Sequence, residues 1–108
     1  MTLNEYQAAA VKTAVYGTGQ QIIYPTLGLA GEAGEVADKV KKVIRDNDGV
    51  FTPEHKLAIA KEIGDVLWYI AADARDLGFT LEEIANMNIE KLESRQKRNV
   101  IAGSGDDR

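Results

Sequence analysis

The sequence contains no cysteine among its 108 residues. Disulfides, zinc–thiolate sites and cysteine nucleophiles are therefore excluded together. A single histidine, His55, is too few for a multi-histidine metal site. A ferritin-like di-iron centre needs Glu-x-x-His on two helices and is disfavoured for the same reason. His55 directly follows Glu54 and reads as a surface residue near a helix start. Long apolar runs are also missing. The longest, Val66 to Ala72, is closed by Asp65 and Asp73 and is far too short to span a bilayer. Nor is there an excess of basic charge. Thirteen Lys and Arg stand against 17 Asp and Glu, for a net charge of -4 and a pI near 5.0. That balance argues against bulk electrostatic binding of nucleic acid or of an anionic membrane. Met1-Thr2-Leu3-Asn4-Glu5 has neither a basic stretch nor an apolar one, so a cytoplasmic location is expected.

What is present is an ordinary folding composition, 44% hydrophobic and 28% charged. The length fits one domain, expected over residues 1–98, with residues 99–108 as a flexible tail. Such a short chain without disulfides builds a limited core, which favours burial through a partner subunit.

The periodicity predicts four helices and no strand. The first is expected from Leu3 to Tyr16, followed by a loop from Gly17 to Pro25. The second is expected from Thr26 to Arg45, with Leu29, Ala33, Val36, Val40, Val43 and Ile44 as its apolar stripe. Asp46-Asn47-Asp48-Gly49 stops it. Thr52 and Pro53 supply an N-cap and a first helical residue for the third, which Gly78 ends. Its expected buried side is Ile59, Ile63, Val66, Leu67, Ile70, Ala74 and Leu77. Thr80 and Glu83 form a capping box for the fourth, fading near Arg98. Helices joined by brief loops imply an all-α, four-helix bundle-like fold with antiparallel neighbours.

The placement of the acids is more informative than their number. With Glu32 at zero on a helical wheel, Glu35 falls at about 300° and the apolar stripe between about 40° and 100°. With Glu62 at zero, Asp65 falls at about 300° and Val66, Ile70, Ile63 and Leu67 between about 40° and 140°. Both helices thus carry Glu-x-x-acid followed by valine, beside the core stripe and not opposite it. Two such helices packed through their stripes bring four carboxylates together. Crowded anions need protons or cations, and an all-oxygen donor set suits Mg²⁺ above all. Mg²⁺ keeps waters and recruits substrate phosphates, which points toward phosphoryl chemistry. The plain alternative is two solvated acidic pairs.

Other residues carry paired readings. Gly28, Gly31 and Gly34 recur every three residues, either for close helix packing or for room beside the backbone. Lys39 lies four after Glu35, as an ion-pair partner or as a phosphate ligand. Lys91, Arg95 and Arg98 share a face of the last helix, complementing its dipole or neutralising a polyphosphate. Tyr69 lies four after Asp65, and stacks on a base or covers the core edge. Trp68 sits off its helix's stripe, facing another subunit or a nucleobase.

The run Leu27-Gly28-Leu29-Ala30-Gly31-Glu32-Ala33-Gly34-Glu35-Val36, followed by Glu62-Ile63-Gly64-Asp65-Val66-Leu67-Trp68-Tyr69, resembles the MazG-like nucleoside triphosphate pyrophosphohydrolases of the all-α NTP pyrophosphatase superfamily. The resemblance covers roughly Leu3 to Arg98 and is to the short, single-domain type of bacteria and phages. It implies hydrolysis of an NTP or dNTP to the monophosphate and pyrophosphate, an acid-anhydride hydrolase serving nucleotide-pool house-cleaning or control. It implies Mg²⁺, with Mn²⁺ as a substitute, on Glu32, Glu35, Glu62 and Asp65. Glu35 and Glu32 are the implied catalytic pair, with Glu35 as general base. Lys39, Tyr69, Asn88, Lys91 and Arg95 are the implied substrate contacts. A bundle completed as a homodimer or homotetramer is implied as well. Base choice falls to residues such as Tyr6, Gln7, Gln20 and Tyr24. Two rivals stay open, a dimerising helical adaptor with solvated acids and a hydrolase of an alarmone such as ppGpp.

Overall fold

Each helix begins and ends where a backbone group finds a partner. The computed structural model describes residues 1–108 as four helices: α1 (Leu3–Val11), α2 (Ile23–Asn47), α3 (Pro53–Leu77) and α4 (Leu81–Lys97). The expected all-helical class holds. Three of the four starts are reciprocal capping boxes: Thr2 with Glu5, Thr52 with His55, and Thr80 with Glu83. In the second, the box is closed by His55 Nδ1, which accepts from the Thr52 N–H at 3.2 Å. Gly78 ends α3 with a left-handed φ of 88°.

Two boundaries depart from expectation. Helix α1 stops at Val11 and not near Tyr16. Thr13 folds its hydroxyl back onto the Ala10 carbonyl at 2.7 Å, and Tyr16 is pulled to α3 by a 2.6 Å hydrogen bond to Asp76. Helix α2 starts at Ile23, so Pro25 lies inside its first turn. The missing N–H of proline costs nothing there, because first-turn donors have no intrahelical partner. Its N-cap, Ile22, has φ 67° and no side-chain cap. That conformation is unfavourable for a β-branched residue. It is held because the Ile22 N–H donates to Asp76 Oδ2 at 3.0 Å.

The architecture is an α2–α3 hairpin with α1 and α4 packed around the C-terminal half of α3. Helix α2 touches only α3, whereas α1 lies against both α3 and α4. Ala10, Ala71, Ala74 and Leu81 form the core, with Tyr6, Trp68, Ile70 and Ile84 against it. Gln7 crosses this core. Its amide donates to the carbonyls of Ala71 and Phe79, and its carbonyl accepts from Leu81 N. The expected stripes are only partly covered: Val43 and Ala74 are buried, but Ile44 is 62%, Ile63 53% and Leu77 52% exposed, while Ala71 and Ala72, outside the expected stripe, are buried. No helix is long and apolar enough to cross a membrane.

Asp76 is the tie that fixes the α1–α2 loop on α3. Its side chain is 3% exposed and accepts from Tyr16, Ile22 and Arg75. Burial alone would raise its carboxyl. The hydrogen bonds from Tyr16 and Ile22 and the Arg75 guanidinium outweigh that and hold it below the ordinary value. Its stabilising share is therefore present above the unfolded carboxylate range and lost as pH falls through the lowered folded value. Asp76→Ala removes the acceptor of all three donors and is expected to cost about 3 kcal/mol. A urea titration checks this as a lower midpoint at unchanged slope.

Candidate active site

The antiparallel α2–α3 register sets the site. Reading along the pair, Thr26 donates to Asp73 at 2.7 Å, Gly28 lies under the Tyr69 ring, and Lys39 reaches Glu62 at 3.5 Å. Between the last two lies the acidic cluster. Oxygens of Glu32, Glu62 and Asp65 lie within 4.8 Å of one another. A cavity of about 380 Å³ opens beside them, lined by Glu32, Asp65, Trp68 and Tyr69. Glu35 is exposed and stands outside this group of three, so the structure brings together three of the four expected carboxylates.

The three acids perturb one another. Partial burial, then the charges of Asp65, Glu62 and Glu35, push the Glu32 carboxyl up. The nearest cation is Lys39, which pairs with Glu62 and not with Glu35. Three clustered carboxylates with one lysine leave net negative charge, and all the donors are hard oxygens. That donor set fits a divalent cation of the Mg²⁺ type, with Glu32, Glu62 and Asp65 as its protein ligands.

Aromatic residues wall the end of the site away from Lys39. Tyr16 stacks on Tyr24 at 5.1 Å, Tyr24 approaches Tyr69 at 6.3 Å, and Trp68 meets Tyr69 edge-on at 4.9 Å. Burial, with Tyr24, Glu32 and Asp65 close by, pushes the Tyr69 hydroxyl up. Burial and then Asp65 do the same to Tyr6 of α1. Trp68 is not an unpartnered aromatic, because its indole N–H donates to Thr13 Oγ1 at 2.7 Å and its ring packs on the core. Gln7 is structural, consumed by the three core hydrogen bonds, and is not free to read a base. The sequence reading missed Asp73 and Tyr16. Asp73 follows Glu62, Asp65 and Tyr69 at spacings of three, four and four, which was the available signal.

The expected basic ligands of α4 are elsewhere. Helices α2 and α4 do not touch within one chain. Residues 99–108 turn back on α4, so that Lys91 Nζ lies 2.6 Å from Asp106 Oδ1 and the buried Arg95 donates to the Asp106 carbonyl at 2.5 Å. The C-terminal segment thus supplies the anion for this basic face. Asn88 is exposed on the same helix.

The three glycines separate into two kinds. A Cβ on Gly28 would stand 2.1 Å from Tyr69 Cε1, whereas one on Gly31 or Gly34 meets nothing within 4 Å. Gly28→Ala is therefore expected to destabilise by about 1–3 kcal/mol through overpacking. Gly31→Ala is expected to stabilise by up to about 1 kcal/mol through helix propensity. Thermal melts of the two variants check the contrast. For the acidic cluster, the raised Glu32 carboxyl means the folded state pays a charge penalty above that value, relieved as pH falls through it. Glu32→Gln is expected to raise the melting temperature of metal-free protein near neutral pH. It is expected to shrink the further rise that Mg²⁺ gives the unaltered chain. Calorimetric scans with Mg²⁺ and with EDTA check both signs.

Comparison with known proteins agrees with this geometry. Residues 21–100 match the MazG nucleotide pyrophosphohydrolase domain, a span that holds α2, α3 and all four acidic positions. The chain is 47% identical over 114 residues to the Gene 37 protein of Mycobacterium phage L5, with 100% of each chain covered. No solved structure matches it. The chain thus belongs to the MazG nucleotide pyrophosphohydrolase domain family.

Proposed function

We propose that this protein is a Mg²⁺-dependent nucleoside triphosphate pyrophosphohydrolase, acting on an NTP or dNTP in the cytoplasm of a bacterial cell. The observation that carries this reading is the Glu32–Glu62–Asp65 cluster, set in a cavity between two helices of the matched domain. In the reaction, water attacks the α-phosphorus. The bond from that phosphorus to the bridging oxygen breaks, and pyrophosphate leaves with the electron pair. When bound at the three carboxylates, Mg²⁺ supplies positive charge against the phosphate oxygens. The chain's own residues do the rest. Glu32, Glu62 and Asp65 fix the site from two rigid helices. Glu35, one turn along α2 and outside the cluster of three, is uncommitted and is the residue we assign to take the water's proton. Lys39 lies at the phosphate side, and Tyr69 with Tyr24 at the nucleoside side.

The exposed apolar surface supports the rest of the proposal. Leu27, Ile44, Leu57 and Ile63 on the hairpin, and Met87, Ile89 and Leu92 on α4, are uncovered in one chain. An assembly of two or four copies would bury such faces. It would also allow Asn88, Lys91 and Arg95 of one chain to approach the carboxylates of another, on release from Asp106.

A panel of NTPs and dNTPs, incubated with Mg²⁺ and with EDTA and resolved by chromatography, tests the reading. Monophosphate and pyrophosphate are expected, only with metal. Asp65→Asn is expected to lower kcat at least about a hundredfold, the order lost with one electrostatic partner of a transition state. Diphosphate and phosphate as products would refute the cleavage site. No turnover of any nucleotide, ppGpp included, together with unchanged behaviour of Glu35→Gln, would favour the helical adaptor.

A further inference from the structure

Beyond the carboxylates, toward the α2–α3 turn, the groove between the two helices widens into a separate cavity of about 510 Å³. Its floor is apolar, with Val43 and Ile59, and its polar wall includes Lys39, Lys42 and His55. Nothing in the proposed chemistry uses Lys42 or His55. We infer that this cavity is the subsite for the terminal phosphates of the nucleotide, so that the leaving pyrophosphate sits at the turn end of the hairpin and the base at the opposite end. This rests on the pyrophosphohydrolase reading and gives its substrate a direction.

Continuity is the first support. Lys39 lines the cavity and also lies 3.5 Å from Glu62 Oε1, so cavity and carboxylates share a wall. Along α2, Lys39 is seven residues beyond Glu32 and Lys42 ten, about 10 and 15 Å along the axis. Along α3, Ile59 is three residues before Glu62 and His55 seven, about 5 and 10 Å. A phosphate chain held at Glu32, Glu62 and Asp65 therefore reaches Lys39 first, then His55 and Lys42.

The charges support the same direction. On the far side of the carboxylates stand Tyr69, Tyr24 and Tyr16, where the one cation, Arg75, is taken up by the Tyr16 hydroxyl and Asp76. On the near side stand two lysines. The one acid in the cavity wall, Asp46, is already engaged by the Arg45 guanidinium at 2.7 Å. Lys42 now pairs with Asp38 at 2.8 Å, an exposed contact that a phosphate can replace at small cost. Lys39, Lys42 and Arg45 thus stand together at this end of the groove, each held only by an exposed or half-exposed ion pair that a phosphate can compete with.

His55 adds a fixed donor. Its Nδ1 accepts the Thr52 N–H in the capping box, so the neutral ring carries its proton on Nε2. The remaining N–H is thus available to an oxygen anion in the cavity that His55 lines. The cap also offers a clean variant. Glutamine completes a capping box as well, so His55→Gln keeps the helix start while altering the donor.

Isothermal titration with pyrophosphate and, separately, with AMP, in the presence of Mg²⁺, tests the assignment on the whole protein. Lys42→Ala and His55→Gln are each expected to weaken pyrophosphate about tenfold, the loss of one charge-assisted hydrogen bond, while AMP binding changes less than about twofold. Circular dichroism melts confirm that both variants fold. Pyrophosphate affinity unchanged in both folded variants overturns the inference. So do equal losses for AMP and pyrophosphate, and so does no pyrophosphate binding by the unaltered protein. The reading it rests on fails separately. Turnover to monophosphate with variant-insensitive pyrophosphate binding keeps the hydrolase and removes this subsite. Pyrophosphate binding that depends on Lys42, without turnover of any nucleotide, keeps the phosphate site and removes the hydrolase.

Discussion

Two 25-residue helices pack against each other, and the closeness of that pairing governs what the protein places between them. At Gly28 the Tyr69 ring occupies the space of a side chain. A Cβ there would push α2 away from α3 at one end of the acidic cluster. The hydrogen bond from Thr26 to Asp73 holds the pair beyond it, and the Lys39–Glu62 ion pair holds it on the other side. Glu32, Glu62 and Asp65 are thus clamped from both directions and cannot relieve their repulsion by parting. Partial burial and then the neighbouring charges push the Glu32 carboxyl up. A site that is uncomfortable without a cation is prepared to bind one, and its cost in stability is carried by packing elsewhere.

That packing is concentrated at one end. The C-terminal half of α3 receives α1, α4 and the α1–α2 loop, and there the chain invests its buried polar bonds. Gln7 satisfies three backbone groups across the core, and Asp76 fastens Tyr16 and Ile22. The same tie fixes Ile22 in a conformation it would not adopt alone, and so decides where α2 begins. The aromatic side of the site is therefore built on the rigid end, whereas the carboxylates and the cavity at Lys42 lie on the bare part of the hairpin.

The legible and illegible parts of the sequence divide along this line. Local chemistry was readable. Thr52 with Pro53, Gly78, and Thr80 with Glu83 marked the limits of α3 and α4 where the structure has them. The i, i+3 acids beside an apolar stripe marked the cluster. Contacts between distant residues were not readable. The early end of α1 depends on Tyr16 finding Asp76, and the burial of Gln7 depends on Ala71, Phe79 and Leu81. The exclusion of Glu35 from the closest group turns on the rotation of α2, which a wheel at 100° per residue does not resolve. The engagement of Lys91 and Arg95 by Asp106 joins residues that any spacing rule would treat as unrelated. His55 reads as an incidental surface residue because Lys42 and Val43, which line the same cavity, belong to the opposite helix.

The uneven burial also bears on how such a site can work. Only nine residues are buried, and most of those lie at the α1–α4 end. The free half of the hairpin has Ile44, Leu57 and Ile63 on its surface, so in an isolated chain this half is the part most able to open locally. Carboxylates that are to hold a cation need positioning to within a fraction of an ångström. A second copy covering those apolar side chains would supply rigidity to the ligands as well as burial. Such cover would add to the clamp that the Gly28–Tyr69 contact and the Lys39–Glu62 pair already place on either side of the carboxylates. The basic face of α4 follows the same logic. Asp106 neutralises Lys91 and Arg95 within the chain, through contacts that are exposed on the acid's side and weak. A phosphate near this face would compete with a single carboxylate on a surface segment, 78% exposed, and not with a buried acid.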